Sequence, residues 1–316
     1  MTFTLHSAAS LIAVWIDRLV GEPRRFHPLI AFGHYANYLE KRLNRGTIWQ
    51  GVLAWSLAVL PFVLLVYGLQ FILTQWFGAG WVELILSSFF AWLAIGWQSL
   101  REHAQAVQQA LTQSSLDQAR TKVSYLVSRD TQSLDETGVS RACIESTLEN
   151  GSDAVIAPLF FVLIGGAPAV VAYRLCNTLD AMWGYRNPRF ERFGKWSARC
   201  DDVLNYLPAR LTATLYTSVG QSKTAWFAWQ QQAKTWYSPN AGVVMASGAG
   251  ALNIQLGGTA IYHQQQKSRP ILGTQPAPNA KDIQRAIRLL DHSVFAYLCT
   301  LMISVILAWI SYRLLY

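Results

Sequence analysis

The residues best suited to chemistry lie in polar segments between long apolar ones. Glu145, Glu149 and Asp153 follow at four-residue intervals with no basic residue among them. On a helix they share a face, with about 6 Å of rise between neighbours. Such a run is either a solvated acidic face or a Mg2+-binding edge supported by Asn150. Upstream, Arg129-Asp130-Thr131 sets a guanidinium suited to bidentate phosphate or carboxylate binding beside an Asp able to hold Mg2+. A capped helix end would read the same way. Further on come Asn177-Thr178-Leu179-Asp180, then Arg199 beside Asp201 and Asp202, Asn205, and Pro208-Ala209-Arg210. Carboxylates for a hard metal and a guanidinium for phosphate stand together there. Near the start, Asp17, Glu22 and His27 surround a Gly21/Pro23 turn, which is also a plain helix stop.

Other motifs narrow the chemistry. Ser238-Pro239-Asn240 leads into Gly248-Ala249-Gly250, which lacks the third glycine of a dinucleotide loop, and the chain has no Gly-x-x-x-x-Gly-Lys-Ser/Thr. A nucleotide site must therefore be of another kind. The six histidines show no metal-ligand spacing, and Cys143, Cys176, Cys200 and Cys299 form neither a zinc pattern nor a disulfide framework.

The elements that must position these residues are membrane helices. Of the 316 residues 52% are hydrophobic and 14% charged, against about 25% charged in an ordinary globular chain. The charges crowd into a few segments, and thirteen Trp and thirteen Tyr suit two water–lipid boundaries. Spans are predicted over 48–77, 79–100 and 294–312, the first two as a hairpin through a tight turn at 76–81. Residues 5–19 make a marginal span or interfacial helix, with no cleavable leader expected. Segments 101–153 and 177–291 are polar and carry the motifs, and 264–279, with its prolines, reads as a mobile loop. The whole reads as a single membrane-embedded domain.

Lys and Arg number six over 18–45, five over 101–153 and thirteen over 177–291, with none in the 75–80 turn. The positive-inside rule sends all three basic segments to the cytoplasm, which accounts for the net charge of +8 without nucleic acid. The segment 154–176 then enters and returns, or crosses with a poor return span in 203–220. Gly165-Gly166-Ala167-Pro168 interrupts it near the middle and favours a re-entrant pair of half-helices. The fold class is thus all-α: a polytopic integral membrane protein with a re-entrant broken helix and cytoplasm-facing polar helices and loops. The spans hold almost no ionisable groups, unlike those of an ion-coupled transporter, and no inverted repeat is visible.

Taken together, Gly21-Glu22-Pro23 with His27-Pro28, Arg129-Asp130-Thr131, Glu145-Ser146 with Glu149-Asn150 and Asp153, Asn177-Thr178-Leu179-Asp180, Ser197-Ala198-Arg199 with Asp201-Asp202, Pro208-Ala209-Arg210-Leu211 and Ser238-Pro239-Asn240 resemble the CbiB/CobD family of cobalamin biosynthesis, the membrane-bound adenosylcobinamide-phosphate synthases. The resemblance runs from Asp17 to about Arg288. It implies ATP-driven amide formation between adenosylcobyric acid and aminopropanol O-phosphate or threonine phosphate, at the bacterial inner membrane with a cytoplasmic active face. Partners would be the lipid bilayer and either late cobalamin-pathway membrane enzymes or a second copy of the chain.

For that chemistry ATP and Mg2+ are the expected cofactors. Glu145, Glu149, Asp153 and Asp201 are the expected metal ligands. Asp202 and Arg199 act on Mg2+–ATP and its phosphates, and His27 or Asp180 is the candidate base. Arg129, Asp130, Thr131, Asn150, Asn177, Thr178, Arg210 and Asn240 would bind substrate or phosphate. The sequence departs from the family pattern at Glu22 (usually Asp), Gly151-Ser152, Met245 (commonly acidic) and Thr259-Ala260. A rival reading from another class is a non-catalytic AmpE-type membrane sensor, to which 202–226 bears a fainter resemblance. That reading does not require the Arg129, Asn177 and Ser238 motifs together.

Overall fold

Apolar stretches with few charges become long helices because a helix satisfies its own backbone hydrogen bonds where no water can. The computed structural model describes residues 2–23, 27–113, 115–262 and 265–315. Its helices are α1 (Thr2–Val20), α2 (Pro28–Leu43), α3 (Ile48–Phe77), α4 (Ala79–Ala94), α5 (Trp97–Gln113), α6 (Leu116–Val123) and α7 (Glu136–Gly151). After a π-helical turn (Ser152–Ile156) come α8 (Ala157–Trp183), α9 (Lys195–Leu204), α10 (Tyr206–Val219), α11 (Ser222–Gln232), α12 (Ala241–Leu252) and α13 (Ala280–Leu315). Two small antiparallel ribbons lie between α12 and α13: β1 (Gln255–Gly257) with β4 (Ile271–Gly273), and β2 (Ala260–Tyr262) with β3 (Gln265–Lys267). The segment expected as a mobile loop over 264–279 therefore supplies two of the four strands.

Among the described residues, five stretches are long and apolar enough to cross a membrane: Thr2–Val20, Ile48–Phe77, Ala79–Gln113, Glu136–Trp183 and Ala280–Ser311. The contacts gather into two units. The first is Met1–Gly96, Ala157–Asn205 and Leu301–Tyr316; the second is Trp97–Ile156 and Tyr206–Thr300.

In the first unit, α1, α3, α4 and α8 pack against one another. The Thr47 hydroxyl caps α3 by accepting from the Gln50 N–H, and Gly78, at φ +82°, turns the chain into α4. Leu53, Leu57, Leu60, Leu64 and Phe71 project from α3 into the surroundings, and exposed Trp76 and Trp81 flank the turn. Such outward apolar surface suits lipid, and the paired Trp suit its boundary. α3 covers 48–77, and α4 stops at Ala94, short of residue 100. Ile95 takes an extended conformation there, and α5 starts afresh after Gly96.

The break in α8 falls at the predicted glycines. Gly165 and Gly166 both leave helical geometry, Gly166 at φ +58° and ψ −145°, a region essentially closed to side-chain-bearing residues. A break inside an apolar helix strands a carbonyl and an N–H, and side chains from α1 and α4 take them up. The Ala167 N–H donates to Ser87 Oγ at 3.1 Å, and His6 Nδ1 lies 3.0 Å from the Leu163 carbonyl oxygen. His6 Nε2 in turn sits 2.6 Å from Glu83 Oε1, which also accepts from Ser87, while Gln70 donates to Oε2. Two of the few ionisable residues in these stretches thus meet where the broken backbone needs polar partners.

A Cβ on Gly166 would press into this cluster, within 2.9 Å of His6 Nε2 and 2.8 Å of Ser87 Oγ. Gly166→Val is expected to cost roughly 3 kcal/mol, from backbone strain plus a displaced polar cluster. The check is the apparent unfolding temperature in detergent; a wild-type value would contradict this account of the break.

In the second unit, α7 and α12 form the centre of an apolar core that includes Ile144, Leu148, Met245, Ile254 and Tyr216. Gly248 lets α12 approach Leu148 of α7; a Cβ there would lie 2.7 Å from the Leu148 side chain. The π turn after α7 is tied to α10 through Thr212 Oγ1, 3.2 Å from Ser152 Oγ, and Tyr216 donates to the Leu148 carbonyl at 3.0 Å. Met245 is a buried core side chain.

Candidate functional site

The predicted residues fall into a group in each unit. In the first, α8 runs past its break to carry Asn177, Thr178 and Asp180 in its last turns, and α9, packed against it, carries Arg199, Asp201 and Asp202. Asn177 Nδ2 donates to Asp201 Oδ1 at 3.2 Å and Asn205 Nδ2 to Oδ2 at 2.9 Å. Tyr173 donates to Asn205 Oδ1 at 2.9 Å, and Arg174 to Asn177 Oδ1 at 3.3 Å. The Asp201 carboxylate is therefore fixed from both sides by amides that are themselves fixed. Burial pushes its carboxyl above the usual carboxylate range, and the two amides pull it back. Asp202 and Arg199 are exposed on the same helix, and Asp180 is half-buried. Thr178 spends its hydroxyl on the Arg174 carbonyl, so its side chain serves the helix.

His27 has a structural task as well as a candidate chemical one. It is the N-cap of α2, with Pro28 following, and its Nδ1 accepts the Leu29 N–H at 3.2 Å. That bond requires the neutral ring. Burial holds the imidazole below its ordinary value, Glu22 opposes the shift and Arg174 adds to it. The unfolded chain takes up this proton more readily, so the stabilisation is complete above about pH 6.5 and is lost as pH falls through the depressed folded value. His27→Asn should keep the cap and flatten this limb of the stability–pH curve, a change worth about 0.5–2 kcal/mol. Melting scans from acid to neutral pH check it; an unchanged slope would contradict it. Turnover lost in the same variant, with the fold intact, would mark the imidazole as the base.

Nearby, buried Glu40 of α2 receives Arg189 in a forked pair, Nε to Oε1 at 3.0 Å and Nη2 to Oε2 at 2.6 Å. Arg189 holds the Glu40 carboxyl below the usual range against the effect of burial. This pair fastens the α8–α9 connection to α2.

In the second unit the acidic run divides. Glu145 is buried, with both oxygens engaged: Arg129 Nη2 reaches Oε2 at 2.6 Å, and Arg269 reaches Oε2 at 2.8 Å and Oε1 at 3.0 Å. The Gly257 N–H adds a bond to Oε1 at 2.9 Å. Glu149 is exposed and Asp153 half-buried, and the π turn beginning at Ser152 departs from the regular helix on which the three were expected to share a face. Asn150 bonds back to the Ser146 carbonyl at 2.9 Å. Asp130 is exposed and accepts the Gln132 N–H, and Thr131 is buried. Arg210 lies over the Tyr206 ring, 3.5 Å from its centroid, and donates to Asn240 Oδ1 at 3.1 Å. Among the described residues no group of three or more His, Cys, Asp or Glu side chains is arranged to hold a metal ion. Asp201, the fourth expected ligand, belongs to the first unit.

Arg269, Arg174, Tyr173, Arg141, the His6–Glu83 pair and the Glu40–Arg189 pair are among the polar residues that sequence motifs left out. Asn205 was visible as part of the Asp201 motif, but its orienting role was not.

Long helices apolar on their outer faces, a helix broken at buried polar side chains, and clusters of carboxylate, amide and guanidinium define a multi-pass helical membrane protein with enzyme-like polar groups. The family model described as CobD/Cbib protein matches residues 10–290. A cobalamin biosynthesis protein CobD of Stutzerimonas stutzeri is 52% identical over 295 residues, covering 92% of this chain and 95% of its own. Its namesake in Chromobacterium violaceum is 48% identical over 303 residues (93% and 95%), and that of Mycobacterium tuberculosis 37% over 293 residues (91% and 92%). The chain belongs to the CobD/CbiB family of cobalamin biosynthesis. No solved structure matches it.

Proposed function

We propose that this protein is an adenosylcobinamide-phosphate synthase, joining aminopropanol O-phosphate or threonine phosphate to adenosylcobyric acid through an amide bond at the expense of ATP. The observation that carries the reading is the Asp201 carboxylate, fixed by Asn177 and Asn205 within motifs characteristic of the family. A carboxylate held this way cannot swing to a better partner, which is what positioning a charged reactant requires.

An acid and an amine do not condense unaided in water. ATP would supply the driving force by phosphorylating the corrinoid carboxylate, with ADP released; the amine would then attack the acyl carbon, lose a proton and expel inorganic phosphate, with Mg2+ supplying neutralising charge. Mg2+ commonly takes one or two carboxylates and completes its shell with phosphate oxygens and water; Asp202, exposed on α9, would be the residue to hold it, with Asp201 beside it in sequence. Glu145, its oxygens committed to arginines, is assigned no metal role. Arg199 would steady nucleotide phosphates, while Arg129 and Arg210, with Asn240, are suited to anionic groups. The incoming ammonium must lose a proton before it attacks. His27, kept neutral by burial, and Asp180 are the groups suited to receive it.

The polar segments face the cytoplasm of a bacterial inner membrane, on the strength of their Lys and Arg content. The test is a ligation assay with protein in detergent, the corrinoid acid, aminopropanol phosphate and Mg2+–ATP. Amide product and hydrolysed nucleotide should appear in equal amounts. Threonine phosphate run in parallel identifies the preferred amine, and no product from either would overturn the reading.

A further inference from the structure

Glu145 gathers more positive charge than it can balance. Arg269 grips it with two nitrogens, and Arg129 from the α6–α7 connection adds a third bond to the same carboxylate. All three side chains are more than nine-tenths buried. One turn upstream on α7, Arg141 enters no ion pair among the described residues, and its buried Nε has no hydrogen-bond partner. Among the ion pairs of the described residues, one carboxylate faces the guanidiniums of both Arg129 and Arg269, and Arg141 brings a third positive charge close by. A buried cation left uncompensated costs several kcal/mol, so a fold that assembles these guanidiniums is suited to an anionic occupant.

The neighbouring backbone leaves space for one. Gly257 and Gly258 both lie in the left-handed region, at φ +77° and +75°, and their carbonyls accept from Arg269 at 3.3 and 3.1 Å. On Gly258 a Cβ would meet, among the described residues, only Arg141 Nη1 at 3.9 Å. Among the described residues, then, the space over this glycine is bounded only by the Arg141 guanidinium.

We propose that the second unit binds a dianionic phosphate group over Gly258, between Arg141 and the Arg129–Glu145–Arg269 cluster. Forked guanidiniums suit the oxygens of a phosphomonoester or terminal phosphate. Binding itself does not depend on the ligase reading; only the choice of aminopropanol phosphate and ATP as the two sources of the phosphate rests on it.

The experiment is calorimetric titration of the full-length protein in detergent, wild type against Arg141→Gln, with aminopropanol O-phosphate in one arm and ATP in the other. Affinity is expected to fall at least tenfold in one arm, which identifies whose phosphate is held, and 1-amino-2-propanol without its phosphate should bind neither protein. Wild-type protein that binds neither phosphate, or a Gln variant that binds both as well as wild type, overturns the proposal, whatever the ligation assay gives. Among the described residues Arg141 has no ion pair to lose, so the variant should melt no lower than wild type. If it does not purify, Arg141→Lys replaces it: a point charge in place of the fork should weaken binding about threefold, and equal affinity in both arms overturns the site.

Discussion

Glu145→Leu should destabilise the protein by about 3–5 kcal/mol, the cost of breaking a buried ion pair and leaving its partners charged. Arg129 and Arg269 would remain in place with no carboxylate between them, and the Gly257 N–H would lose its acceptor. Three chain segments meet at this one side chain: the connection before α7, α7 itself, and the ribbon region around Arg269. Glu145→Gln, which keeps the shape and one acceptor oxygen but not the charge, should fall between the two. The unfolding temperature in detergent reads the effect. A Leu variant as stable as wild type would restore the alternative that Glu145 belongs to a metal-binding face.

That alternative shows where the sequence was legible and where it was not. Uncharged runs of the right length located the α3–α4 hairpin, and Gly165-Gly166 located the break in α8, because both signals are local. The partners of Glu145 are not local. Arg129 is 16 residues before it and Arg269 is 124 after it, in a proline-rich segment that reads as loop. His6 and Glu83 are 77 residues apart, and each alone is an ordinary polar residue near a helix end. The π turn leaves no trace in residue spacing, so the expected common face of Glu145, Glu149 and Asp153 rested on regular periodicity. Asn177 and Asp201 were legible as candidates from their motifs, yet their 3.2 Å hydrogen bond required α8 and α9 to be packed together.

The second large effect concerns Asp202. It is exposed on α9, so its removal should leave the fold intact, whereas replacing Asp201 would disturb the amides around it. If Asp202 helps hold Mg2+ on the nucleotide, its loss should lower turnover by about a hundredfold or more, roughly 2.7 kcal/mol of transition-state stabilisation. The measurement is complementation: expression in a bacterium lacking its own synthase, supplied with cobyric acid and scored for cobalamin-dependent growth. Growth is expected with the wild-type chain and none with Asp202→Ala at equal abundance in the membrane. Absence of growth with wild-type protein detected in the membrane, or full growth of the Asp202→Ala strain, would contradict it.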